Sequence, residues 1–135
     1  MKTSNSVYAY PAVFRFEDGQ FHIYFPDIEG CFTCGDSIED GLVMAKDVLA
    51  FTIYENFESQ NLEVPKASPI TSFELMPNEF ITYVACDTME YRRKFNTKSV
   101  KKTLTIPEWL NEAAIEKKIN FSQVLKEALM ERIIN

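Results

Sequence analysis

The stretch YPAVFRFEDGQFHIYFPD, residues 10–27, alternates apolar and polar positions on both sides of Asp18-Gly19. That dipeptide suits a two-residue type I′ turn, in which both central residues need positive φ. The alternation predicts a hairpin over residues 7–25. The turn sets the register: Phe16 faces Phe21, Phe14 faces Ile23, and Ala12 faces Phe25. These six make one apolar face, and cross-strand pairs of this kind stabilise a sheet. The other face pairs Arg15 with His22 and Val13 with Tyr24. Pro11 is confined to a strand start or an edge.

Working outward, Pro26-Asp27-Ile28-Glu29-Gly30 reads as a turn and Gly30 to Cys34 as a third short strand. A helix is expected from Ser37 to Phe57. Ser37 followed by Asp40 resembles a capping box, with Asp in place of Glu or Gln. Ile38, Leu42, Ala45, Leu49 and Ile53 form one apolar stripe, widened by Met44, Val48 and Phe51. An apolar helix face and an apolar hairpin face must bury against each other, which predicts a two-layer α+β unit. Residues 58–78, with Pro65, Pro69 and Pro77, read as a connection. Residues 79–86, EFITYVAC, read as a fourth strand of the same sheet. DTMEYRRKFNTKS, residues 87–99, fits either a short helix or a charged linker.

The C-terminal segment SVKKTLTIPEWL alternates Lys101, Thr103 and Thr105 with Lys102, Leu104 and Ile106, a short strand with one polar face. Pro107 suits the first position of a helix, where its missing N–H is not needed. Glu108 and Glu112 sit near that helix's positive end. Leu110, Ala113, Ala114 and the Lys117 stem mark its inner face. A second helix starts at INFSQ. Asn120 caps it, Gln123 returns the bond, and Ile119 with Val124 forms a hydrophobic staple. Val124, Leu125, Ala128, Leu129, Arg132 and Ile133 follow at helical spacing.

Residues 99–135 number 37 and contain no Cys or His. A chain below about 40 residues rarely buries enough surface to fold alone without a metal, disulfide or partner. Dimerisation is the remaining solution: two strands pair antiparallel and four helices pack behind them. The ribbon's outer face then presents Lys101, Thr103 and Thr105 from each chain. A two-stranded ribbon fits the DNA major groove, where Lys and Thr meet base edges. Backbone N–H groups at Phe121 and Ser122 face outward for a phosphate. Arg92, Arg93 and Lys94 lie in a basic run beside the strand and are candidate phosphate contacts.

KKTLTIPEWL followed by INFSQVLKEAL resembles a ribbon-helix-helix domain over residues 99–135. Lys118 departs from it, because such domains often carry Gly at the turn between the helices. YPAVFRFEDGQFHIYFPDIEGCFTCGDSIEDGLVMAKDVL closely resembles the HicB antitoxin family, with its YPAV strand, FPD turn, GDS cap and amphipathic helix in order. VPKASPI is similar to that family's Pro- and Ser-rich segment. The resemblance implies a partial ribonuclease-H-like domain at residues 1–86, a basic linker at 87–98 and a DNA-binding domain at 99–135. It further implies a type II antitoxin that silences a small basic HicA-type mRNA-cleaving toxin and, as a homodimer on operator double-stranded DNA, represses its own operon. The resemblance leaves unknown which residues meet the toxin.

Charge agrees with that division. Residues 1–86 hold four basic and thirteen acidic residues, a net of −9; residues 87–135 hold ten and seven, a net of +3. An acidic module suits a basic partner, and a pI near 4.8 requires any nucleic-acid contact to be local. No run approaches the 18 to 20 or so apolar residues of a membrane span. The N-terminus lacks a signal-peptide pattern, and three cysteines without a secretory context read as reduced thiols, so a cytoplasmic protein is expected. Cys31 and Cys34 alone cannot make a four-ligand zinc site. His22, on the polar hairpin face, has no identifiable acid or base partner. Asp18 and Asp40 are used by a turn and a cap, and strand 8–16 holds no carboxylate, so no two-metal nuclease set is present. Trp109 reads as packed at a helix start. No catalytic residues, metal or cofactor are expected. The alternative is a stand-alone ribbon-helix-helix regulator whose first domain senses a small ligand.

Overall fold

The Asp18-Gly19 turn has φ of +54° and +76° at its two central residues in the computed structural model, which describes residues 6–134. It joins β1 (Val7–Glu17) to β2 (Gln20–Tyr24) in the expected register, from Val13 opposite Tyr24 to Glu17 opposite Gln20. The ladder stops at Tyr24, so Ala12 and Phe25 are not a strand pair. Phe25 N–H donates instead to Cys31 O at 3.0 Å, closing the turn that delivers β3 (Phe32–Gly35). The third strand thus begins two residues later than the sequence suggests. β4 (Glu79–Asp87) returns antiparallel along β1, and the sheet order is β3-β2-β1-β4.

Ser37 caps α1 (Ile38–Asn56), its Oγ accepting from Asp40 N–H at 3.0 Å. Asp40 Oδ2 accepts in return from the Asp36 N–H at 2.9 Å, one residue before the cap itself. The helix lies tightly on β3. A Cβ on Gly35 would stand 2.5 Å from the Gly41 Cα, so only glycine allows this approach. Phe14, Ile23, Leu49 and Ile53 are all but fully buried between the two layers. Each such side chain contributes roughly 1.5 to 3 kcal/mol relative to exposure.

The buried side of α1 is narrower than its apolar stripe. Gly41, Ala45, Leu49, Ala50, Thr52 and Ile53 are buried, whereas Ile38, Leu42, Met44 and Phe51 are exposed. Phe16, expected in the core, is 51% exposed. Conversely, Pro11 and Val13 are buried on the second sheet face. The proline-containing connection accounts for this. Its 3-10 turn Ile70–Ser72 packs on β4, with Ile70 N–H donating to Tyr83 Oη at 3.4 Å. Ser68 N–H and Oγ both donate to Asp27, at 2.9 and 2.5 Å, and Tyr10 Oη donates to Pro65 O. Cys31 and Cys86 are buried and Cys34 is exposed. Burial pushes the Cys31 thiol up and the Cys86 thiol up to about 12, which leaves both unreactive at neutral pH.

Residues 88–95 settle as a helix, α2 (Thr88–Phe95), packed on α1. The chain divides into two compact units between Lys98 and Ser99, so α2 lies in the first unit and is not a linker.

In the second unit, residues 99–106 form no strand. A ladder needs a second strand, and this segment has none within its own chain. α3 (Glu108–Glu116) begins one residue later than expected, with Pro107 as its N-cap; Leu110 and Asn111 N–H groups donate to Pro107 O at 3.1 Å. It ends in a Schellman arrangement: Ile119 N–H donates to Ala114 O at 3.0 Å and Lys118 N–H to Ile115 O at 2.9 Å. Lys118 has φ of +56°, the left-handed position that favours glycine. Asn120 Oδ1 caps α4 (Phe121–Ile134) by accepting from Gln123 N–H at 3.1 Å. The Gln123 side chain does not return the bond; its Nε2 donates to Glu127 Oε1 at 2.8 Å, one helical turn onward.

Candidate functional site

The second unit has almost no interior. Ala114 is its one buried residue among those described, and Lys117, expected along an inner face, is exposed. Leu104, Val124, Leu129 and Ile133 are each more than half exposed, as is Trp109, which is not packed at the helix start. An apolar surface of this extent on a monomer marks an interface. Lys101, Thr103 and Thr105 are exposed on the extended segment before α3. Phe121 and Ser122 occupy the first two positions of α4, where backbone N–H groups have no helical acceptor.

Of the eight candidate DNA-contact residues, these five stand in the second unit and Arg92, Arg93 and Lys94 in the first. Arg93 and Lys94 are exposed on the last turn of α2, where cations suit the helix dipole. Arg92 is committed elsewhere. Its Nη2 donates to Glu58 Oε1 at 2.7 Å, and its guanidinium lies over the Tyr54 ring, 5.0 Å from the centroid. Glu58 Oε2 also accepts from Tyr8 Oη at 2.8 Å and Thr88 Oγ1 at 2.9 Å. The phenol is pushed up to about 12, by burial first and by the Glu58 carboxylate second. This clasp joins β1, the turn after α1 and α2. Reading the basic run as a charge block missed it, because Glu58 lies 34 residues away in a stretch without periodicity. The one local signal was Asp87, whose Oδ1 accepts from Met89 N–H at 2.9 Å and starts α2.

Between α1 and α2 an open cleft of about 470 Å³ is lined by Lys46, Val48, Phe51, Glu90, Tyr91 and Phe95, among others. Lys46 and Glu90 approach to 3.8 Å across it. His22 is partly buried opposite Arg15 and Cys34. Among the described residues, no group of three or more His, Cys, Asp or Glu is placed to hold a metal, and no helix is long and apolar enough to cross a membrane.

An antiparallel four-stranded sheet backed by helices, followed by a small helical unit with exposed apolar residues, defines an α+β protein. Residues 9–93 match the family described as "HicB_like antitoxin of bacterial toxin-antitoxin system". A chain of a toxin-antitoxin complex from Streptococcus pneumoniae is similar at 30% identity and a TM-score of 0.61, over 93% of this chain and 99% of that one. The crystal structure of antitoxin HicB3 is similar at 29% identity and a TM-score of 0.51, over 93% and 98% of the two chains. An uncharacterized 14.9 kDa protein from the rep-hol intergenic region of Haemophilus phage HP1 is 30% identical over 77 residues. That match spans 56% of this chain and 57% of the phage protein. The chain belongs to the HicB-like antitoxin family.

Proposed function

We propose that this antitoxin neutralises a small basic HicA-type toxin through its first unit, and that residues 99–135 pair with a second copy as a ribbon-helix-helix dimer that binds operator DNA and represses the operon. The observation behind the dimer, and through it the DNA reading, is the second unit's exposed apolar residues, with Ala114 alone buried among those described. Pairing two copies of residues 101–106 supplies the absent ladder and turns Leu104 and Ile106 against Leu110, Val124 and Leu129. Lys101, Thr103 and Thr105 then face the major groove. Arg93 and Lys94 supply phosphate contacts; Arg92 does not. The excess of acidic over basic residues in the first 86 supports a basic protein partner.

The test is co-expression with the neighbouring reading frame, followed by co-purification, an RNA-cleavage assay and operator gel shifts. Silenced cleavage together with specific operator binding is the expected result. A second reading, a regulator with a ligand-sensing first unit, is favoured by the cleft between α1 and α2. No captured toxin, together with operator binding that responds to a metabolite, selects it.

A further inference from the structure

α1 covers the sheet unevenly, and the part left open is aromatic. Phe14 is buried under the helix, while its neighbours Phe16 and Phe80, toward the hairpin end of the same face, are 51% and 37% exposed. The rings form one connected group: Phe14 to Phe80 4.9 Å, Phe16 to Phe21 5.0 Å, Phe21 to Phe80 6.2 Å between centroids. Asn78 holds the open end in shape, its Nδ2 donating to Phe16 O at 3.1 Å and its own carbonyl accepting from Phe16 N–H at 3.0 Å. On the helix, Ile38 and Leu42 are exposed on either side of Gly41, where an added Cβ would touch the Phe14 ring at 3.1 Å. Exposed apolar side chains of sheet and helix thus flank the same buried Phe14 ring.

The surrounding charge selects the occupant. Residues 36–42 carry Asp36, Glu39 and Asp40 and no base, and Glu74 lies in the connection before β4. The hairpin turn adds Asp18, while Arg15, Glu17 and Glu79 stand on the opposite sheet face, Arg15 bonded to Glu17 at 3.1 Å. A second copy would bring these acids against themselves, and like-charge juxtaposition opposes that pairing. A partner with an apolar centre and a basic rim fits both features. We infer that the surface formed by Phe16, Phe21, Phe80, Ile38 and Leu42 is where the basic toxin docks. The inference rests on the antitoxin reading above and adds the surface that performs it.

The test uses the full chain and the small basic protein that co-purifies with it. Wild-type affinity is measured first. Phe16→Glu and Leu42→Glu should each weaken binding about thirtyfold or more, the scale of a lost central anchor, with an unchanged circular dichroism spectrum. Where Phe16→Glu lowers the melting temperature, Leu42→Glu, on the exposed side of α1, carries the test alone. Glu39→Lys should slow association at low salt and lose that effect at high salt. Phe32, on the opposite sheet face and 69% exposed, is the control, and Phe32→Glu should leave affinity unchanged. Unchanged affinity in the first two variants, or an equal loss in the control, overturns the surface while the antitoxin reading stands. A wild-type chain that binds no basic protein defeats that reading and the surface with it. Lost self-association with intact toxin affinity reassigns the patch to a contact between copies and overturns the inference.

Discussion

The two units use the same apolar residue types and reach opposite interiors. In the first, Phe14, Ile23, Leu49 and Ile53 are sealed between sheet and helix; in the second, Leu104, Val124, Leu129 and Ile133 stay mostly in solvent. The difference is one of size and topology. The first unit closes its core with β4, which arrives from more than sixty residues beyond β1 and pairs along nearly its whole length. The second is 37 residues of extended chain and two helices, too few to enclose a centre. A unit that is complete alone suits recognition of a partner. A unit that is incomplete alone makes the proposed DNA surface conditional on assembly.

The largest effect expected from this contrast is in concentration dependence. The thermal midpoint of residues 99–135 should rise with protein concentration, while that of a fragment ending near Asn96 should not, since in the proposed dimer only residues 99–135 fold by association. A midpoint for residues 99–135 that holds over a hundredfold dilution would falsify the shared fold.

Core truncation sharpens the same comparison. Leu49→Ala should destabilise the first unit by about 2 to 5 kcal/mol at any concentration. Leu104→Ala should cost next to nothing in a monomer and a comparable amount in a dimer, so its concentration dependence reports where that side chain is buried. Equal effects at high and low concentration would place Leu104 outside the dimer core.

Next in size are the proposed DNA contacts. Lys101→Ala or Thr105→Ala should reduce specific operator affinity by about 1 to 3 kcal/mol, while Arg93→Ala should weaken all sequences alike and flatten the salt dependence. Arg92→Ala should behave unlike its neighbour. It should lower the stability of the first unit by about 1 to 2 kcal/mol, because Glu58 loses a charged donor at a partly exposed site. The DNA salt slope should stay as in wild type. A flattened slope in Arg92→Ala would return that residue to the DNA surface.

The smallest expected effect is alkaline. Folding raises the Cys86 thiol from 9.0 to about 12 and the Tyr8 phenol from 10.0 to about 12. A raised folded pKa means the unfolded chain loses its proton first. The stability these groups contribute is therefore whole below pH 9 and declines as pH rises toward 12. Denaturant midpoints of the first unit between pH 8 and 11 should fall, and Cys86→Ala should remove the part that begins near pH 9. A flat profile would show that neither group is held protonated by the fold.

Local rules carried far in this chain. The hairpin register follows from Asp18-Gly19 and a period of two, the Ser37 and Asn120 caps from short-range hydrogen bonding, and the left-handed Lys118 from the place where α3 must end. Each depends on residues within a few positions of one another, which is why it is readable in one dimension. The family likeness was legible for the same reason, in short motifs set in order. Tertiary structure alone decided which apolar residues are sealed. Phe16 and Leu42 fit the pattern of a core as well as Phe14 and Ala45 do, and what separates them is which part of the sheet and which side of α1 the two layers press together. Pro11 and Val13 are buried by a connection without periodicity, through contacts to Tyr83 and Asp27 that no local pattern encodes. Arg92 looks like its neighbours Arg93 and Lys94 until Glu58 is brought beside it. Contacts made across dozens of residues depend on where folded elements meet, and side-chain type constrains that meeting only weakly.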